Sequence, residues 1–341
     1  MSDPAGTAPL LEIDELGVEF RTEEGTVRAV DGASFTVGEG EIVGVVGESG
    51  SGKSVTAMSI LGLVKPPGRR VGGTIRFRGR ELNSLPSSEL RTIRGGEIAM
   101  IFQDPMTALN PVVSIGRQIV EALRLHDRRL TKGAARERAV ELLTLVGVPN
   151  PEARLRQYPH EFSGGMRQRA MIAMAIANGP KLLIADEPTT ALDVTIQAQV
   201  LDLLRIAQEE TQAATLLITH DLGVVAELAD TVVVMYAGRV IEQGDVTTIF
   251  TAPRHPYTVG LLESLPRLDR DLEELHPIPG SPPSLLDPPS GCPFHPRCPM
   301  VRDVCRTDRP GLRDVGRDHR SACHFAEELA DVTEAAEEVR R

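Results

Sequence analysis

The chain has 341 residues, of which 41% are hydrophobic and 25% are charged, so it is long enough for one large core and a smaller second unit. Its formal net charge is −11 and it has no tryptophan, which argues against a large nucleic-acid-binding surface. No apolar run reaches the length of a membrane span, and the first residues lack a signal-peptide pattern. We therefore expect a protein that is made and kept in the cytosol.

Residues 11–46 predict short strands separated by turns, because Gly and Asp interrupt their alternating apolar residues. The apolar run Ile42–Val46 leads into the glycine-rich stretch GESGSGKS at 47–54, and a helix is predicted to begin near Val55. Further strands are predicted in GTIRFRGREL and in EIAMIFQD, which begin at residues 73 and 97. The first half of the chain thus combines strands with one conspicuous glycine loop.

From about residue 112 to 180 the pattern is helical, and strand signals then return in KLLIAD, ATLLIT and TVVVMYAG. Strands that alternate with helices predict an α/β fold with a mostly parallel sheet, covered on both sides and carrying a helical insertion. Beyond residue 252 the composition becomes rich in loops and proline, and all four cysteines fall within 292–323. We predict a separate appendix there.

The glycine loop fits the pattern G-x-x-x-x-G-K-[ST] between a strand and a helix, which is typical of a phosphate-binding loop. Its glycines let backbone N–H groups turn inward around a polyphosphate, and the start of the helix adds the positive end of its dipole. Lys53 is expected to reach the β- and γ-phosphates, and the Ser54 hydroxyl to bind Mg²⁺. The predicted ATP-binding residues of the loop are Gly47, Glu48, Ser49, Gly50, Ser51, Gly52, Lys53, Ser54 and Val55.

Polar residues at the ends of other predicted strands supply the remaining catalytic groups. Asp186 ends an apolar strand, where it can hold Mg²⁺ through water, and the adjacent Glu187 can polarise the attacking water as a general base. Gln103 and His220 also end strands. Gln103 is expected to contact Mg²⁺ or water, and His220 to contact the γ-phosphate and fix Glu187. Alone, a Gln or His at a strand end is usually structural.

The stretch FSGGMRQR at 162–169 resembles the signature motif of ATP-binding cassette (ABC) ATPases, with Phe162 where Leu is commoner and Met166 where Gln is commoner. The phosphate loop, Gln103, the acidic strand, ALD at 191–193 and His220 follow the family's order. This resemblance implies a P-loop ATPase fold of ABC type over residues 1–251. It would contain an antiparallel β subdomain and a helical subdomain at about 104–180.

The ABC resemblance also implies a head-to-tail dimer, in which ATP lies between one subunit's phosphate loop and its partner's signature. The signature residues that would contact the partner's ATP are Ser163, Gly164, Gly165 and Met166. They open a helix whose N–H groups can bind a γ-phosphate. Asp193 falls in the loop that links the paired sites. Phe20 is the candidate for stacking on adenine, and a plain core position is its alternative.

Three stretches resemble the ATPase subunits of dipeptide and oligopeptide importers, a family that also serves nickel and other small solutes. They are NP at 110–111, HPYTVGLLESLP at 255–266 and GSPPSLLDPPSGCPFHPRC at 280–298. The likeness implies an ATPase at the cytoplasmic face of the cell membrane that powers peptide uptake. Its partners would be a second, homologous ATPase chain, two permeases and, indirectly, an external binding protein. We call residues 252–325 the C-terminal region and expect 326–341 to be a tail.

Two other functional classes remain as alternatives. One is a soluble ABC ATPase that remodels nucleic acid or ribosomes, but such proteins usually carry two cassettes or a long coiled-coil insertion, and the sequence indicates neither. The other is an iron–sulfur electron carrier with a vestigial cassette, against which the intact set of hydrolytic residues argues. Within the importer class, a small solute such as nickel is the alternative to peptides.

The four cysteines predict a metal centre. Cys292, Cys298, Cys305 and Cys323 have five, six and seventeen residues between them, and disulfides are disfavoured in the cytosol. Four thiolates can hold either Zn²⁺ or a [4Fe–4S] cluster, and His295, His319 and His324 leave a mixed Cys/His zinc site open. The peptide-importer ATPases that this chain resembles include members with a [4Fe–4S] cluster, and that resemblance favours the cluster, in a structural role.

Overall fold

The structure is a computed structural model that describes residues 8–189, 194–264 and 277–329. It divides into two compact units, the first formed mainly by Ser84–Ile218 and the second by Leu11–Thr36, Ile42–Asn83 and the described residues from Thr219 onward. Within these ranges, no helix combines the length and apolar character that a membrane crossing requires. Each unit is described in turn below.

The elements are numbered along the chain. The strands are β1 (Leu11–Thr22), β2 (Gly25–Val37), β3 (Ile42–Val46), β4 (Gly68–Phe77), β5 (Arg80–Glu81), β6 (Ile98–Ile101), β7 (Leu182–Asp186), β8 (Ala214–Ile218), β9 (Thr231–Tyr236), β10 (Arg239–Asp245), β11 (Arg313–Gly316) and β12 (His319–Ser321). The helices are α1 (Lys53–Ile60), α2 (Ser87–Ile93), α3 (Pro105–Ala108), α4 (Ile115–His126), α5 (Lys132–Leu145), α6 (Pro151–Arg154), α7 (Gly164–Ile176), α8 (Val194–Thr211), α9 (Leu222–Leu228), α10 (Val246–Thr251), α11 (Pro256–Glu263) and α12 (Asp303–Thr307).

The first unit contains the parallel strands β6, β7 and β8. Ile98 is in register with Leu182, and Asp186 with Ile218. All residues of these strands are buried, which explains why they form continuous apolar runs in the sequence rather than alternating ones. Helices α3 to α7 lie between β6 and β7 in the chain, so the predicted helical insertion is confirmed. Asp186 is the last residue of β7.

The second unit pairs β3 in parallel with β9, which continues antiparallel into β10, β12 and β11. A separate antiparallel sheet has the strand order β2-β1-β4-β5. Its strands β1 and β2 have 12 and 13 residues and are longer than the short strands that the sequence predicts. Strand β1 accommodates its Gly and Asp residues because it changes register against β4 between Asp14 and Val18.

The C-terminal region contains more regular structure than its composition predicts. Strands β11 and β12 were missed because they have four and three residues, too few to show an alternating pattern. Glu242 of β10 is in register with Ser321 of β12, so the region extends the sheet of the second unit. An aromatic cluster of Tyr236, Tyr257 and Phe294 packs beside it. Of the predicted tail, 326–329 are helical and the remainder lies outside the described residues.

Candidate nucleotide-binding site

The loop after β3 requires glycine at both ends of its motif. Gly47 has φ of 147°, and a Cβ there would lie 2.1 Å from the Met235 carbonyl oxygen of β9. Gly52 has φ of 102° and caps α1, and its Cβ would lie 2.6 Å from the Ala29 carbonyl oxygen. Any other residue would clash with the neighbouring backbone and strain its own. The motif glycines therefore set the course of the loop.

Lys53 folds back into this loop. Its side chain is buried, and Nζ donates hydrogen bonds to the carbonyl oxygens of Gly47 at 2.6 Å and Glu48 at 3.0 Å and to Ser51 Oγ at 3.4 Å. Ser54 and Val55 are half-buried in the first turn of α1, while Ser49 and Gly50 are exposed at the tip of the loop. The loop thus holds a positive charge next to the N-terminus of a helix, which favours an anion.

Glu48 faces away from this charge, toward the C-terminal region. Its backbone N–H donates to Tyr257 Oη at 2.8 Å. Its carboxylate accepts from two guanidinium nitrogens of Arg297, with Nη1–Oε2 of 2.6 Å and Nη2–Oε1 of 3.0 Å. Sequence reasoning missed both partners. Tyr257 and Arg297 lie in the stretches HPYTVGLLESLP and CPFHPRC, which resemble importer ATPases, but the sequence gives no sign that either residue contacts the phosphate loop.

Two other predicted residues of the second unit have different surroundings. Phe20 is half-buried on β1 opposite Gly68 of β4, and a Cβ on that glycine would lie only 2.5 Å from its ring. The ring thus packs on Gly68, and its contact with adenine stays a prediction. His220 is exposed two residues after β8, between Thr219, whose N–H donates to Val45 O at 3.2 Å, and Asp221, which caps α9.

In the first unit, the structure brings Gln103 and Glu187 together. Gln103 Nε2 donates to Glu187 Oε2 at 3.0 Å, although 84 positions separate the two residues. Glu187 follows the buried Asp186 and has φ of 46°, a left-handed conformation that is uncommon outside glycine. Its N–H donates to Ile218 O at 2.8 Å, which anchors the turn at the end of β8. The sequence indicates that each residue follows a strand, but it does not predict this contact between them.

The signature stretch opens α7. Ser163 is its N-cap, and Ser163 Oγ accepts from Met166 N at 3.3 Å. Ser163 and Gly164 are exposed, Gly165 and Met166 are half-buried, and Phe162 is buried. One turn further, the buried Gln168 donates from Nε2 to Pro188 O at 2.9 Å, which fixes the loop after Glu187. Sequence reasoning missed Gln168, although it lies within the quoted motif. Asp193 lies outside the described residues.

Comparisons with known proteins agree with these features. Residues 30–190 match the family model described as ABC transporter, and residues 241–305 match the oligopeptide/dipeptide transporter C-terminal region. The dipeptide transport ATP-binding protein DppD of Escherichia coli is 52% identical over 316 residues, with 93% of this chain and 96% of that protein covered. The chain belongs to the ATP-binding protein family of oligopeptide and dipeptide ABC transporters.

Another member of this ATP-binding protein family, the oligopeptide transport ATP-binding protein OppD of Mycobacterium bovis, is 56% identical over 317 residues, 93% of this chain. The chain spans about half of that relative, since only 52% of it is covered. Among solved structures, the dimeric ATP-binding cassette MJ0796 bound to ADP and Pi superposes with a TM-score of 0.62 at 27% identity, covering 69% of this chain and 98% of that one. The P-loop α/β fold of ABC type is confirmed.

The predicted metal centre is wrong for this member of the family. The described part of the chain includes all four cysteines, yet it has no group of three or more His, Cys, Asp or Glu side chains that could hold a metal ion. The thiols of Cys292, Cys298, Cys305 and Cys323 are free and line a cavity of about 20 Å³, room for roughly one water molecule. Neither a [4Fe–4S] cluster nor zinc fits these residues.

Two thiols of this region are protonated and its histidines have hydrogen-bond partners. Burial raises the pKa of Cys298 to about 11 and that of Cys323 to about 12, so both thiols are neutral at pH 7. The histidines are engaged elsewhere, because His319 Nε2 lies 2.8 Å from Glu242 Oε1 and His324 Nε2 lies 3.1 Å from Asp308 O. His295 Nδ1 lies 3.0 Å from Cys292 O.

Proposed function

We propose that this chain is the ATP-binding and ATP-hydrolysing subunit of an importer that takes up dipeptides or oligopeptides across the cytoplasmic membrane. The observation that carries the proposal is the Gln103–Glu187 hydrogen bond at 3.0 Å, since it joins two predicted hydrolytic residues in a chain that also has a complete phosphate loop. The relatives named for dipeptide and oligopeptide transport support the substrate class. We assign ATP hydrolysis to residues 1–251.

Each predicted residue has a role in this proposal. Lys53 and the N–H groups of the loop bind the β- and γ-phosphates, and Phe20 stacks on adenine. Glu187 polarises the attacking water, and His220 contacts the γ-phosphate. Mg²⁺ would neutralise charge on the phosphates, and the oxygen donors of Ser54, Gln103 and Asp186 suit this hard cation. The buried position of the Asp186 carboxylate at the end of β7 agrees with such a role.

We further propose that the active form is a head-to-tail pair of ATPase subunits at the cytoplasmic face of the membrane. Ser163, Gly164, Gly165 and Met166 would bind the ATP of the partner subunit, which is a second, homologous chain, and Asp193 would link the two sites. ATP closes the pair and hydrolysis reopens it. The exposure of Ser163 and Gly164 at the start of α7 supports this role, because the N-terminus of a helix favours an anion such as phosphate.

Contact with permeases is supported by apolar side chains near Gln103. Phe102, Met106 and Val112 are exposed, the last by 79% of its surface. Clustered exposed apolar residues are typical of interaction sites. We propose that the segment from Gln103 through the helical insertion receives a helix of the permease and transmits closure of the ATPase pair to it. An external binding protein would deliver the peptide to the permeases.

The test is reconstitution of this chain with its permeases and partner ATPase in lipid vesicles, with labelled dipeptides, oligopeptides and nickel as substrates. We expect ATP-dependent uptake of a peptide and ATP hydrolysis that rises when peptide and binding protein are present. If nickel is taken up and peptides are not, nickel would replace peptides as the proposed substrate. Hydrolysis with no association to permease-containing vesicles would instead indicate a soluble ABC ATPase and contradict the proposal.

A further inference from the structure

We infer that Arg297 of the C-terminal region is a positioning residue for the nucleotide site, because it holds Glu48 of the phosphate loop and thereby sets the shape and the charge of that loop. The inference rests on the proposed function, since it concerns the affinity for ATP. It adds a role in ATP binding for the C-terminal region. It also predicts that a substitution of Arg297, which lies 249 positions after Glu48, changes nucleotide affinity.

Arg297 is built into the structure rather than resting on its surface. Its side chain is only 4% exposed, and each of its five N–H groups has an acceptor. Two N–H groups bind the Glu48 carboxylate in the forked geometry described above. The other three acceptors are Pro279 O at 2.9 Å, Ile278 O at 3.3 Å and Tyr236 Oη at 3.4 Å. Such complete satisfaction fixes the guanidinium, and with it the position of the carboxylate that it binds.

Tyr236 ties this arrangement to the strand that supports the loop. It is the last residue of β9, which pairs in parallel with β3, and β3 leads directly into the loop. The Arg297 guanidinium carbon lies 5.9 Å from the Tyr236 ring centroid. The hydrogen bond to the Glu48 carboxylate, above all, raises the pKa of Arg297, so the guanidinium remains charged at every relevant pH. One cation thus joins the loop, the end of β9 and the 278–279 segment.

Glu48 is held on three sides. Its carboxylate binds Arg297, its N–H donates to Tyr257 Oη at 2.8 Å, and its carbonyl oxygen accepts from Lys53 Nζ at 3.0 Å. Because Lys53 is the cation that binds phosphate, the same residue connects the C-terminal region to the chemistry of the site. Loss of Arg297 would release the side chain, which is 28% exposed, and let the peptide group that Lys53 contacts move.

The charge of Glu48 gives the sharper prediction. A carboxylate in a phosphate-binding loop repels a triphosphate unless a cation neutralises it. Arg297 supplies that cation. If Arg297 acts through Glu48, removal of Arg297 should weaken nucleotide binding when the Glu48 carboxylate is present. The same removal should weaken binding much less when glutamine replaces Glu48.

The C-terminal region offers a matched control. Arg302 also forms a two-nitrogen pair with a carboxylate, that of Glu328, but both side chains are about half exposed, at 50% and 49%. Pairs of this kind contribute little to stability. Arg302→Met therefore removes an arginine of the same region and the same geometry without touching the phosphate loop.

The experiment measures the binding of a fluorescent ATP analogue with Mg²⁺ to the full chain, together with KM and kcat for ATP. We expect Arg297→Met to weaken binding about tenfold and raise KM with little change in kcat. In the Glu48→Gln background, the same substitution should weaken binding less than about threefold. Arg302→Met should bind as the wild type does. Arg297→Lys keeps the charge but cannot form the two-nitrogen pair with Glu48, so it should weaken nucleotide binding by about threefold, less than Arg297→Met does.

The outcomes separate this inference from the proposed function. If the wild-type chain does not bind the nucleotide, the proposed function fails. If the wild type binds and Arg297→Met binds equally well, the inference is overturned. An equal loss in both Glu48 backgrounds would show a general structural role and would also overturn it. Should Arg297→Met fail to fold, Arg297→Lys and Glu48→Gln still decide the matter, because wild-type affinity of Arg297→Lys would contradict the forked pair.

Discussion

The phosphate loop and the acidic strand end are supported in different ways. The loop is held by Tyr257 and Arg297, which lie 209 and 249 positions further along the chain, outside the residues that match the ABC transporter model. The turn after Asp186 is held by Gln168, which is inside that stretch and 20 positions from Pro188, and by the Ile218 carbonyl oxygen, which accepts from Glu187 N. The support of the phosphate loop thus comes from an appended region, whereas the turn after Asp186 is supported by residues that precede that region.

This comparison predicts two classes of variant. Changes at the loop and its supports should alter nucleotide affinity, because we propose that the loop binds the phosphates. Changes at the acidic strand end and at Gln168, which supports it, should alter the rate of hydrolysis, because we propose that Glu187 polarises the attacking water. The following substitutions test that separation, beginning with the largest expected effect.

Glu187→Gln should reduce kcat about a thousandfold and leave the affinity for Mg-ATP within about threefold of wild type. General-base catalysis typically contributes 10²–10⁴-fold, and an amide cannot accept the proton of the attacking water. Steady-state hydrolysis and nucleotide binding measure the two effects. The control is Glu209→Gln, which changes an exposed glutamate of α8 and should not affect either. Near-normal turnover of Glu187→Gln would remove Glu187 from the mechanism.

Lys53→Met should weaken nucleotide binding about thirtyfold to a hundredfold. The substitution deletes a buried cation that holds the loop through the carbonyl oxygens of Gly47 and Glu48 and that is expected to contact phosphate. Hydrogen bonds to charged groups are worth about 1.5–3 kcal/mol each. Titration with the fluorescent analogue measures the loss, and Lys65→Met, at an exposed lysine beyond α1, is the control. Unchanged affinity would contradict the assignment of Lys53 to phosphate.

His255 should make the C-terminal region sensitive to acid. Burial lowers the pKa of His255 from 6.5 to about 3, and its Nδ1 accepts from Tyr257 N at 3.1 Å. Between these pH values the unfolded chain binds a proton that the folded chain does not, so stability falls as the pH drops below about 6.5. At pH 5 the loss should be about 2 kcal/mol.

Urea unfolding of the wild type and of His255→Asn at pH 7.5 and pH 5.0 isolates this contribution. Asparagine can still cap α11 but does not titrate, so the variant should lose about 2 kcal/mol less than the wild type over that interval. Identical losses in the two proteins would show that His255 does not remain neutral when folded. Because Tyr257 contacts Glu48, the same acidification should also weaken nucleotide binding in the wild type.

The sequence predicts the strands of the fold better than the contacts between distant residues. Strands β6 to β9 were predicted because buried parallel strands form apolar runs. The hydrogen bond between Gln103 and Glu187 was not predicted, because the sequence indicates only that each residue follows a strand. The pair of Glu48 with Arg297 was missed, since a contact between residues 249 positions apart leaves no periodic trace. The metal centre was predicted wrongly, because cysteine spacing in the sequence does not report the geometry of the thiols in the fold.

Gln168→Met gives the smallest expected effect and the finest test of the comparison. Methionine keeps the length of this buried side chain but cannot donate to Pro188 O, so the turn that carries Glu187 loses one fixed point. We expect kcat to fall about tenfold while the affinity for Mg-ATP stays at the wild-type value, the reverse of the pattern for Arg297→Met. The control is Gln199→Met, which removes an exposed side-chain hydrogen bond between α8 and α7 and leaves the turn untouched. A loss of affinity as large as that of Arg297→Met would mean that the two regions do not act separately on binding and on rate.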